Sequence, residues 1–408
     1  MKAGQETVAL RLDAAPVGAS VQLPPGLSGM LKSVLYGWTI SPGPASPPPA
    51  VRIAGEGGGD LRICEAAGAP EYTVSDPVDA ICGLLAGLLK HQANAAPGHL
   101  CLHSAAAVFA GRAVLFPAGF RAGKSTLAAV LAARGVPVVG DDAVFVSPAS
   151  RQVVSVGVAP RMRLPLPRDI GDSSRAFIGR TMKTTGRRYG YLDLPEPVRM
   201  SNGQAVSLGA VVFLRRTEDG APALAEVSKS DALRATIFQN FARRSSAGDI
   251  LLGLSGMIAE CPTLELSFAS AEEAADVLIA EFADWSPHDA VAESVDPLPL
   301  HAIELSDPEW RIKPGLVESD VDGSRFVADG DTGRIVCLNS TAAAIWRLLC
   351  EGEGRDSIAK TLTAAFPDID AGRIGRDVGE TIALIREIGL LLTAGEYDRV
   401  RSQRSVST

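Results

Sequence analysis

One succession constrains the fold of this chain more than any other feature: an apolar run, a turn-rich loop and a helical pattern. Residues 113–116 read AVLF, which is typical of a buried central strand. The loop PAGFRAG follows, and then KSTLAAVLAARG, a helical pattern that ends at Gly135. The run VPVVG and two aspartates come next. This order predicts a strand–loop–helix–strand unit of the α/β class.

The composition limits the number of domains and the kinds of partner. Of the 408 residues, 46% are hydrophobic, a fraction that excludes general disorder. Hydrophobic cores stop growing at about 250–300 residues, so the length predicts two or three domains. The net charge of −8 argues against a nucleic-acid-binding surface over the whole protein, and we expect no nucleic-acid partner.

The cysteines and the hydrophobic runs bear on the cellular compartment. Six scattered cysteines without a CxxC pair favour a reducing compartment over a disulfide framework or a zinc site. The N-terminus lacks the apolar core of a signal peptide, and no stretch approaches the roughly 20 apolar residues that cross a bilayer. We therefore expect a cytoplasmic protein without a membrane partner.

Changes of pattern along the chain divide it into segments. In the first of them Asp76 is the predicted N-cap of a helix, with Pro77 as its first residue. The predicted segments are a β-rich N-terminal region packed on the core (1–100), an α/β core (101–284), a proline-containing linker (285–309), a small α+β domain of three strands and three helices (310–395) and a frayed tail (396–408).

The loop of residues 118–125, AGFRAGKS, fits the phosphate-loop pattern G-x-x-x-x-G-K-[ST] except at Ala118. In such a loop, backbone N–H groups and the helix N-terminus bind phosphate oxygens. Lys124 would neutralise the β and γ phosphates, and the Ser125 hydroxyl would ligate Mg²⁺. We predict an ATP and Mg²⁺ site rather than an ordinary strand–helix turn. The residues expected to bind the nucleotide are Gly119, Phe120, Arg121, Ala122, Gly123, Lys124, Ser125 and Thr126.

Two further elements flank this loop. Asp141 and Asp142 end the next apolar run, where an acid can hold Mg²⁺ or take a proton from an attacking hydroxyl. Adjacent strand residues point to opposite faces, so one acid could do each job, or only one could matter. His103 opens the strand before the loop, and a lone histidine is more often structural than catalytic.

The segment 102–145 contains all of these residues and resembles the kinase core of bacterial HPr kinase/phosphorylase. In that family a histidine opens the strand that leads into the loop, and two aspartates follow the loop helix at the same spacing. The resemblance implies a P-loop fold related to that of phosphoenolpyruvate carboxykinase. It implies Asp141 as the base that activates a serine hydroxyl, with His103 tuning it, and Asp142 near the metal. Lys124 completes the predicted catalytic set.

Two departures from the family indicate a divergent relative with a different acceptor. The family's loop is rich in Gly and Ser where this chain has Gly119, Phe120 and Arg121. The family also has a glutamate metal ligand in a second signature. At roughly that position this chain reads RMRLP, residues 161–165, without an acid.

Residues 178–191, IGRTMKTTGRRYGY, carry four cations and no acid. They predict either a mobile loop that clamps triphosphate or docks an acidic peptide, or a solvated hairpin. The candidates for contact with the acceptor or the phosphates are Lys183, Arg187 and Arg188.

Residues 310–392 resemble the PqqD family, small winged-helix-like modules that recognise precursor peptides. The resemblance rests on Pro314-Gly315, on the strand RIVCLN, and on a helix start at 339–341 that leads into AAAIWRLLCEG. It continues through SIAKTLTAAF and DVGETIALIREIGLL. From the residues alone we predict a small sheet with an open edge, a first helix capped by Asn339 or Ser340, and a core around Trp346.

An open sheet edge can accept another chain as an added strand. The resemblance implies that a leader peptide pairs beside the third strand and lies against the third helix, about 374–388. The strand residues concerned are Arg334, Ile335, Val336, Cys337 and Leu338. The alternative is a winged helix that binds DNA, which the acids Asp377, Glu380 and Glu387 on the last helix disfavour.

Together the two resemblances predict an ATP-dependent kinase that phosphorylates a serine, or a threonine, of a ribosomally made precursor peptide. This arrangement resembles the kinases found with lasso and other ribosomally made, modified peptides. Two alternatives stay open: a small-molecule hydroxyl kinase with a regulatory C-terminal domain, and a catalytically weak, nucleotide-gated peptide chaperone.

Overall fold

A computed structural model describes residues 7–43, 48–55, 59–65, 70–96, 98–119, 121–241, 244–285 and 310–405. The chain separates into two compact units, which comprise Met1–Ser245 with Glu260–Ala292, and Ser246–Ala259 with Glu293–Thr408. The predicted linker, apart from Trp285, lies outside the described residues, and so does Phe120 of the predicted nucleotide site. The mixed α/β class is confirmed.

The N-terminal region is β-rich, as predicted. Its elements are β1 (Val8–Asp13), β2 (Ala19–Leu23), α1 (Ser28–Val34), β3 (Thr39–Pro42), β4 (Val51–Gly55), β5 (Leu61–Glu65), β6 (Tyr72–Val74) and α2 (Pro77–Ala95). The strands form a sheet in the order β3-β1-β2-β4-β5-β6. Helix α2 begins where predicted, because the Asp76 carboxylate accepts the backbone N–H of Val78 at 2.8 Å. One face of α2 packs on β4 and β5.

A second, larger sheet contains the predicted strand–loop–helix–strand unit. Its strands are β7 (Leu100–Leu102), β8 (Ser104–Phe109), β9 (Arg112–Pro117), β10 (Val138–Gly140), β11 (Val144–Ser147), β12 (Gln152–Val154), β16 (Ala205–Arg216), β17 (Ala223–Glu226) and β18 (Thr263–Phe268). The order is β10-β8-β9-β16-β12-β11-β7, with β18 also paired to β16 and β17. Strands β9, β16 and β18 are parallel, so their carboxyl ends meet at one edge.

The remaining elements of the first unit lie around these sheets. They are α3 (Lys124–Ala133), β13 (Arg161–Arg163), α4 (Asp172–Thr181), β14 (Met182–Thr185), β15 (Tyr189–Leu192), α5 (Lys229–Gln239) and α7 (Ala271–Glu281). Strands β13, β15 and β14 form a small antiparallel sheet. Helices α3 and α7 pack together. Their apolar residues form one buried core with those of β9, β16 and β18.

The C-terminal unit confirms the three predicted strands and three predicted helices. Its elements are α6 (Ala247–Ala259), β19 (Trp310–Ile312), β20 (Leu316–Val321), β21 (Ser324–Asp329), β22 (Arg334–Leu338), α8 (Ser340–Cys350), α9 (Arg355–Ala365), α10 (Ala371–Glu387), β23 (Leu391–Thr393) and α11 (Ala394–Ser405). Asn339 caps α8 by accepting the N–H of Ala342 at 2.8 Å. Trp346 is fully buried in the core.

The frayed tail predicted from 396 onward is wrong, because α11 continues to Ser405. The Glu396 carboxylate accepts the backbone N–H and the hydroxyl of Thr393, each at 2.8 Å. These two bonds close the first turn of the helix. The polar composition of the tail does not predict them.

The largest difference from the predicted segments is the unit to which helix α6 belongs. Residues 246–259 fall inside the predicted α/β core, yet their contacts group them with the C-terminal unit. The helix packs on β20 and β21. Phe326 and Ala328 alternate with Val327 along β21, so they face away from the core shared by Val327 and the later helices. Because Phe326 and Ala328 are buried, α6 covers this second face of the sheet.

A buried ion pair joins the end of β19 to the end of β21. The Lys313 ammonium donates to both carboxylate oxygens of Asp329, at 2.8 and 2.7 Å, and both residues are buried. The same carboxylate accepts the N–H of Asp331 and the hydroxyl of Thr332. Burial raises the pKa of Asp329, but these bonds outweigh it and the pKa lies below its usual value. The pair therefore fixes the turn that leads into β22.

The first prediction concerns the packing of α6. A Cβ on Gly248 would lie 2.8 Å from Cγ2 of Val317, whereas a Cβ on Gly256 of the same helix would meet nothing within 4 Å. Gly256→Ala should gain up to about 1 kcal/mol of helix propensity. Gly248→Ala should lose that gain to overpacking, which costs about 1–3 kcal/mol. Thermal melting would compare the two variants, with hydrogen exchange reporting on β20. Equal melting temperatures would contradict the packing of α6 on β20.

The second prediction concerns the Lys313–Asp329 pair. Lys313→Met leaves a buried carboxylate unpaired and should cost about 3–5 kcal/mol. The double variant Lys313→Met/Asp329→Leu should recover most of that loss. Urea unfolding of the C-terminal unit, followed by Trp346 fluorescence, measures both.

The pH dependence provides a separate check on this pair. Because the folded pKa of Asp329 is lowered, its stabilisation is complete above the unfolded pKa of about 3.9 and is lost as pH falls through the folded pKa. The stability difference between wild type and Asp329→Asn should therefore shrink below about pH 4. A constant difference from pH 7 to pH 3 would show that Asp329 is not paired.

Candidate functional site

The candidate phosphate loop, residues 118–125, joins the end of β9 to the start of α3. Helix α3 begins at Lys124, and Gly123 before it has φ of +94°, in the left-handed region that favours glycine. Arg121 also has a positive φ, +68°, which costs a residue with a Cβ about 1–2 kcal/mol. Two of the described loop residues, Arg121 and Gly123, thus adopt a backbone conformation that favours glycine.

Lys124 is buried at the base of this loop. Its ammonium donates to the carbonyl oxygens of Ala118, at 2.6 Å, and of Gly119, at 3.2 Å. It also lies 3.1 Å from Nε2 of His103. Burial lowers the pKa of Lys124. An ammonium group is only a hydrogen-bond donor, so Nε2 of His103 accepts the hydrogen bond from Lys124. The ring proton of the neutral imidazole then lies on Nδ1.

The Nδ1 atom of His103 lies 3.5 Å from Oδ1 of Asp142. Burial, and then the nearby Lys124 charge, lower the pKa of His103. The imidazole thus connects the lysine of the loop to the second aspartate of the pair. The carboxylate beside the imidazole is thus that of Asp142, so an effect of His103 on Asp141 would act through its neighbour.

Asp141 is buried next to the candidate phosphate loop. Its Oδ2 accepts the backbone N–H of Arg161 at 3.0 Å, and the Ser125 side chain hydrogen-bonds to the carboxylate. Burial, followed by repulsion from Asp142, raises the pKa of Asp141 to about 6. A carboxylate with such a pKa is a stronger base near neutral pH than an ordinary aspartate.

The two aspartates do not point to opposite faces of a strand, as their adjacency suggested. Strand β10 ends at Gly140, so both lie in the turn after it, and both line one cavity. A turn releases adjacent side chains from the two-residue alternation of a strand. One carboxylate can therefore reach Ser125 while the other reaches His103.

Arg161 lies roughly at the position where the family that segment 102–145 resembles has a glutamate metal ligand. Its guanidinium donates to Oδ2 of Asp142 at 3.0 Å and lies over the ring of Tyr189, 4.8 Å from the centroid. The guanidinium groups of Arg163 and Arg188 lie 5.9 and 5.4 Å from the same centroid. The Arg161 guanidinium thus neutralises part of the charge of the aspartate pair and belongs to a cluster of three arginines around one aromatic ring.

The basic run 178–191 forms the end of α4 and the β14–β15 hairpin. The Arg187 backbone N–H at its tip donates to Oδ2 of Asp76 at 2.6 Å, which ties the tip to the cap of α2. Arg188 approaches Asp79 at 4.0 Å. Lys183 is exposed on β14. The run thus folds as a hairpin, and Arg188 is the predicted residue that joins the Tyr189 cluster.

Sequence reasoning missed Arg216 at the carboxyl end of β16. Its Nη1 lies 3.6 Å from the position that a Cβ on Gly123 would occupy, and its Nη2 donates to Asp169 at 2.6 Å. The signal was available in principle, because the apolar run AVVFL ends in two arginines. A cation at the carboxyl end of a central strand lies at the edge where ligands bind in α/β folds.

The predicted peptide-binding strand β22 pairs with β21 and, among the described residues, has no strand on its other side. Arg334 and Cys337 are exposed, Ile335 and Val336 half-buried, and Leu338 buried. A cavity of about 340 Å³ opens beyond the strand end, between α8, the end of α9 and the start of α10. Its apolar lining includes the exposed Phe366 and Ile369. The open edge is therefore present, whereas the cavity reaches only the start of α10 and is not lined by β22.

Within the described ranges, no helix is long and apolar enough to cross a membrane. No group of three or more His, Cys, Asp or Glu side chains in that part of the chain could by itself hold a metal ion. A Mg²⁺ ion bound at Ser125 and the aspartate pair would thus need oxygen atoms from elsewhere, such as phosphates and water.

Comparison with known proteins identifies the C-terminal region. Residues 325–391 match the model of the family "Coenzyme PQQ synthesis protein D (PqqD)". A solved structure titled "Lasso peptide synthetase B1 complexed with the leader peptide" is 27% identical, with 21% of this chain and 98% of that chain covered and a TM-score of 0.20. "TbiB1 in Complex with the TbiA(beta) Leader Peptide" is 22% identical, with 22% and 94% covered and a TM-score of 0.18.

No curated protein sequence matches the chain. The family match spans β21, β22 and the helices α8, α9 and α10. The C-terminal region of this chain therefore contains a PqqD domain.

Proposed function

We propose that this chain is an ATP-dependent kinase that phosphorylates a serine or threonine hydroxyl of a ribosomally made precursor peptide. The leader of that peptide binds to the PqqD domain. The observation that carries the proposal is a chain of contacts: Lys124 lies 3.1 Å from Nε2 of His103, and Nδ1 of His103 lies 3.5 Å from Asp142. The lysine of the candidate loop is thus joined to the aspartate pair that phosphoryl transfer would use.

The residues at the loop fit ATP and Mg²⁺. The Ser125 hydroxyl and the Asp142 carboxylate are the hard oxygen atoms that would hold the ion, which leaves Asp141 for the attacking hydroxyl. Mg²⁺ prefers one or two protein oxygens together with phosphates and water, which agrees with a small protein ligand set. When bound, the ion would neutralise charge on the phosphates. Lys124, now satisfied by loop carbonyls, would exchange those partners for phosphate oxygens.

The aspartates take different parts in this proposal. Asp141 accepts the proton of the attacking hydroxyl, because its burial makes it the better base. Asp142 is held between His103 and Arg161, so its charge is balanced whether or not a metal is present. His103 then acts on Asp141 through Asp142 and is a positioning residue.

The PqqD domain supports a peptide acceptor. The family consists of small peptide-recognition modules, and the two leader-bound proteins above are described as complexes with a leader peptide. A leader held on β22 would raise the local concentration of the attached core peptide at the kinase unit. Capture and chemistry would then reside in one chain.

The kinase proposal is tested with the precursor peptide encoded beside this gene and radiolabelled Mg-ATP. Lys124→Ala should abolish transfer and weaken ATP binding at least tenfold, because the phosphates lose their buried cation. Asp141→Asn should lower kcat at least a hundredfold, within the range for a general base, while ATP binding is kept. Lys32→Ala, which removes an exposed lysine of α1, is the matched control. Full transfer by Lys124→Ala or Asp141→Asn would overturn these roles.

Leader capture is tested by photo-cross-linking, because deleting residues 310–408 would strip the apolar face of α6. We expect p-benzoylphenylalanine at position 337, exposed on β22, to cross-link the precursor leader. The same group at position 320, exposed on the opposite edge strand β20, should not. Mass spectrometry identifies the linked peptide. Equal cross-linking at 320 and 337 would exclude strand addition at β22. ATP binding without turnover, across a panel of candidate peptides, would favour the chaperone alternative.

A further inference from the structure

Three arginines surround the ring of Tyr189 on the small sheet of β13, β14 and β15. Strand β13 places Arg163 directly opposite Tyr189, and Arg161 lies two residues before Arg163, so both side chains leave the same face of the strand. Arg188 immediately precedes the tyrosine in the chain. The guanidinium groups of Arg161, Arg163 and Arg188 lie 4.8, 5.9 and 5.4 Å from the ring centroid, within the range of cation–π attraction. We name these three arginines and Tyr189 the arginine cluster.

The backbone around the arginine cluster is fixed on both sides. The Arg187 N–H at the hairpin tip donates to the Asp76 carboxylate at 2.6 Å. A Cβ on Gly186 would lie 2.6 Å from Oδ1 of the same aspartate, so the tip packs tightly against the start of α2. On the other side, the Leu164 N–H donates to the carbonyl oxygen of Arg188 at 2.8 Å. Because the backbone is already held in place, a ligand that binds here loses less entropy on ordering it.

The outer side of the arginine cluster is positively charged. Residues 178–191 carry four cations and no acid, and Arg163 and Arg188 are both exposed. Asp79 approaches Arg188 only to 4.0 Å, and the Arg188 side chain is 67% exposed, so this contact neutralises little of its charge. The surface therefore attracts anions, although the chain as a whole has a net charge of −8.

The arginine cluster and the candidate phosphate loop lie at opposite ends of one array of contacts. The order along the array is Lys124, His103, Asp142, Arg161 and the ring of Tyr189. Phosphates bound at Lys124 would lie at one end, with Asp142 between them and the cluster. In phosphoryl transfer the attacking hydroxyl and the leaving ADP are on opposite sides of the transferred phosphoryl group. The ligand that reaches the cluster is therefore the acceptor chain and not the nucleotide.

The chemistry of the guanidinium group defines which part of an acceptor chain would bind. Its planar set of N–H donors matches the paired oxygen atoms of a carboxylate or a phosphate. In an unmodified peptide the side chains of Asp and Glu supply such oxygen atoms. We propose that the arginine cluster binds carboxylate side chains that flank the phosphorylated residue, so that the protein selects acceptor sequences rich in Asp and Glu. This inference rests on the proposed kinase function and adds the sequence context of its acceptor.

Binding is tested without ATP, by fluorescence anisotropy of the whole protein with two peptides that carry an uncharged dye. One has a central serine between pairs of aspartates, and the other has asparagines at those positions. Both are amidated at the C-terminus, so that only side chains supply carboxylates. Wild type should bind the Asp peptide at least tenfold more tightly, because charge-assisted hydrogen bonds form only with the carboxylates.

Variants assign this preference to the arginine cluster. Arg188→Glu should remove it, and Arg163→Gln, which leaves no new charge, should reduce it. Arg52→Glu, at an exposed arginine of β4, makes the same change of charge elsewhere and should keep the preference. Equal binding of the two peptides by wild type, or an unchanged preference in Arg188→Glu, would overturn the proposal.

Acceptor choice is tested with the same two sequences fused to the leader of the precursor peptide, together with radiolabelled Mg-ATP. Wild type should label the Asp fusion at least tenfold faster at low peptide concentration, through a lower KM. Arg188→Glu should lose this ratio and bind ATP as tightly as wild type does. An Arg188→Glu variant that keeps the ratio, or that binds ATP tenfold more weakly, would overturn the proposal. A wild type that prefers the Asp peptide in binding but labels neither fusion would refute the kinase function and leave the anionic-peptide site in place.

Discussion

The burial of one carboxylate, Asp141, organises the first unit around the candidate site. A buried carboxylate needs hydrogen-bond donors to offset its lost hydration, and Asp141 obtains them from Ser125 of the loop and the backbone of Arg161. These donors belong to α3 and β13, which are remote from each other in sequence. The need to satisfy one group therefore fixes the loop, the turn after β10 and the edge of the small sheet in one arrangement.

The C-terminal unit depends on an analogous constraint at a different place. There the buried Lys313–Asp329 pair fixes the turn before β22, and α6 covers the face of the sheet that α8 and α10 leave open. Because α6 lies between α5 and β18 in the chain, the PqqD sheet is completed by a segment from the middle of the first unit's sequence. A truncation at the family boundary would thus remove part of its core.

Local sequence patterns predicted the helices and strands, but they did not predict which side chains contact each other in the fold. The caps at Asp76 and Asn339, the loop before α3 and the three strands with three helices follow from spacing and propensity, which act within a few residues. The contact of His103 with Asp142 depends on a turn that frees adjacent residues from strand alternation. The packing of α6 on the C-terminal sheet was not predicted, because its nearly continuous apolar sequence is compatible with any hydrophobic core. The sequence of the helix does not indicate which sheet it covers.

Arg161 determines part of the charge balance at the candidate site. An acid at this place would add negative charge to a site that already holds Asp141 and Asp142, and a metal would have to neutralise it. A guanidinium reverses that balance, since it lies 3.0 Å from Asp142 and is positively charged at any physiological pH. Its planar group also stacks on Tyr189, which fixes its position more firmly than a flexible lysine would be fixed. The site therefore contains its own positive charge beside Asp142. This charge offsets part of the negative charge of the aspartate pair without any bound ion.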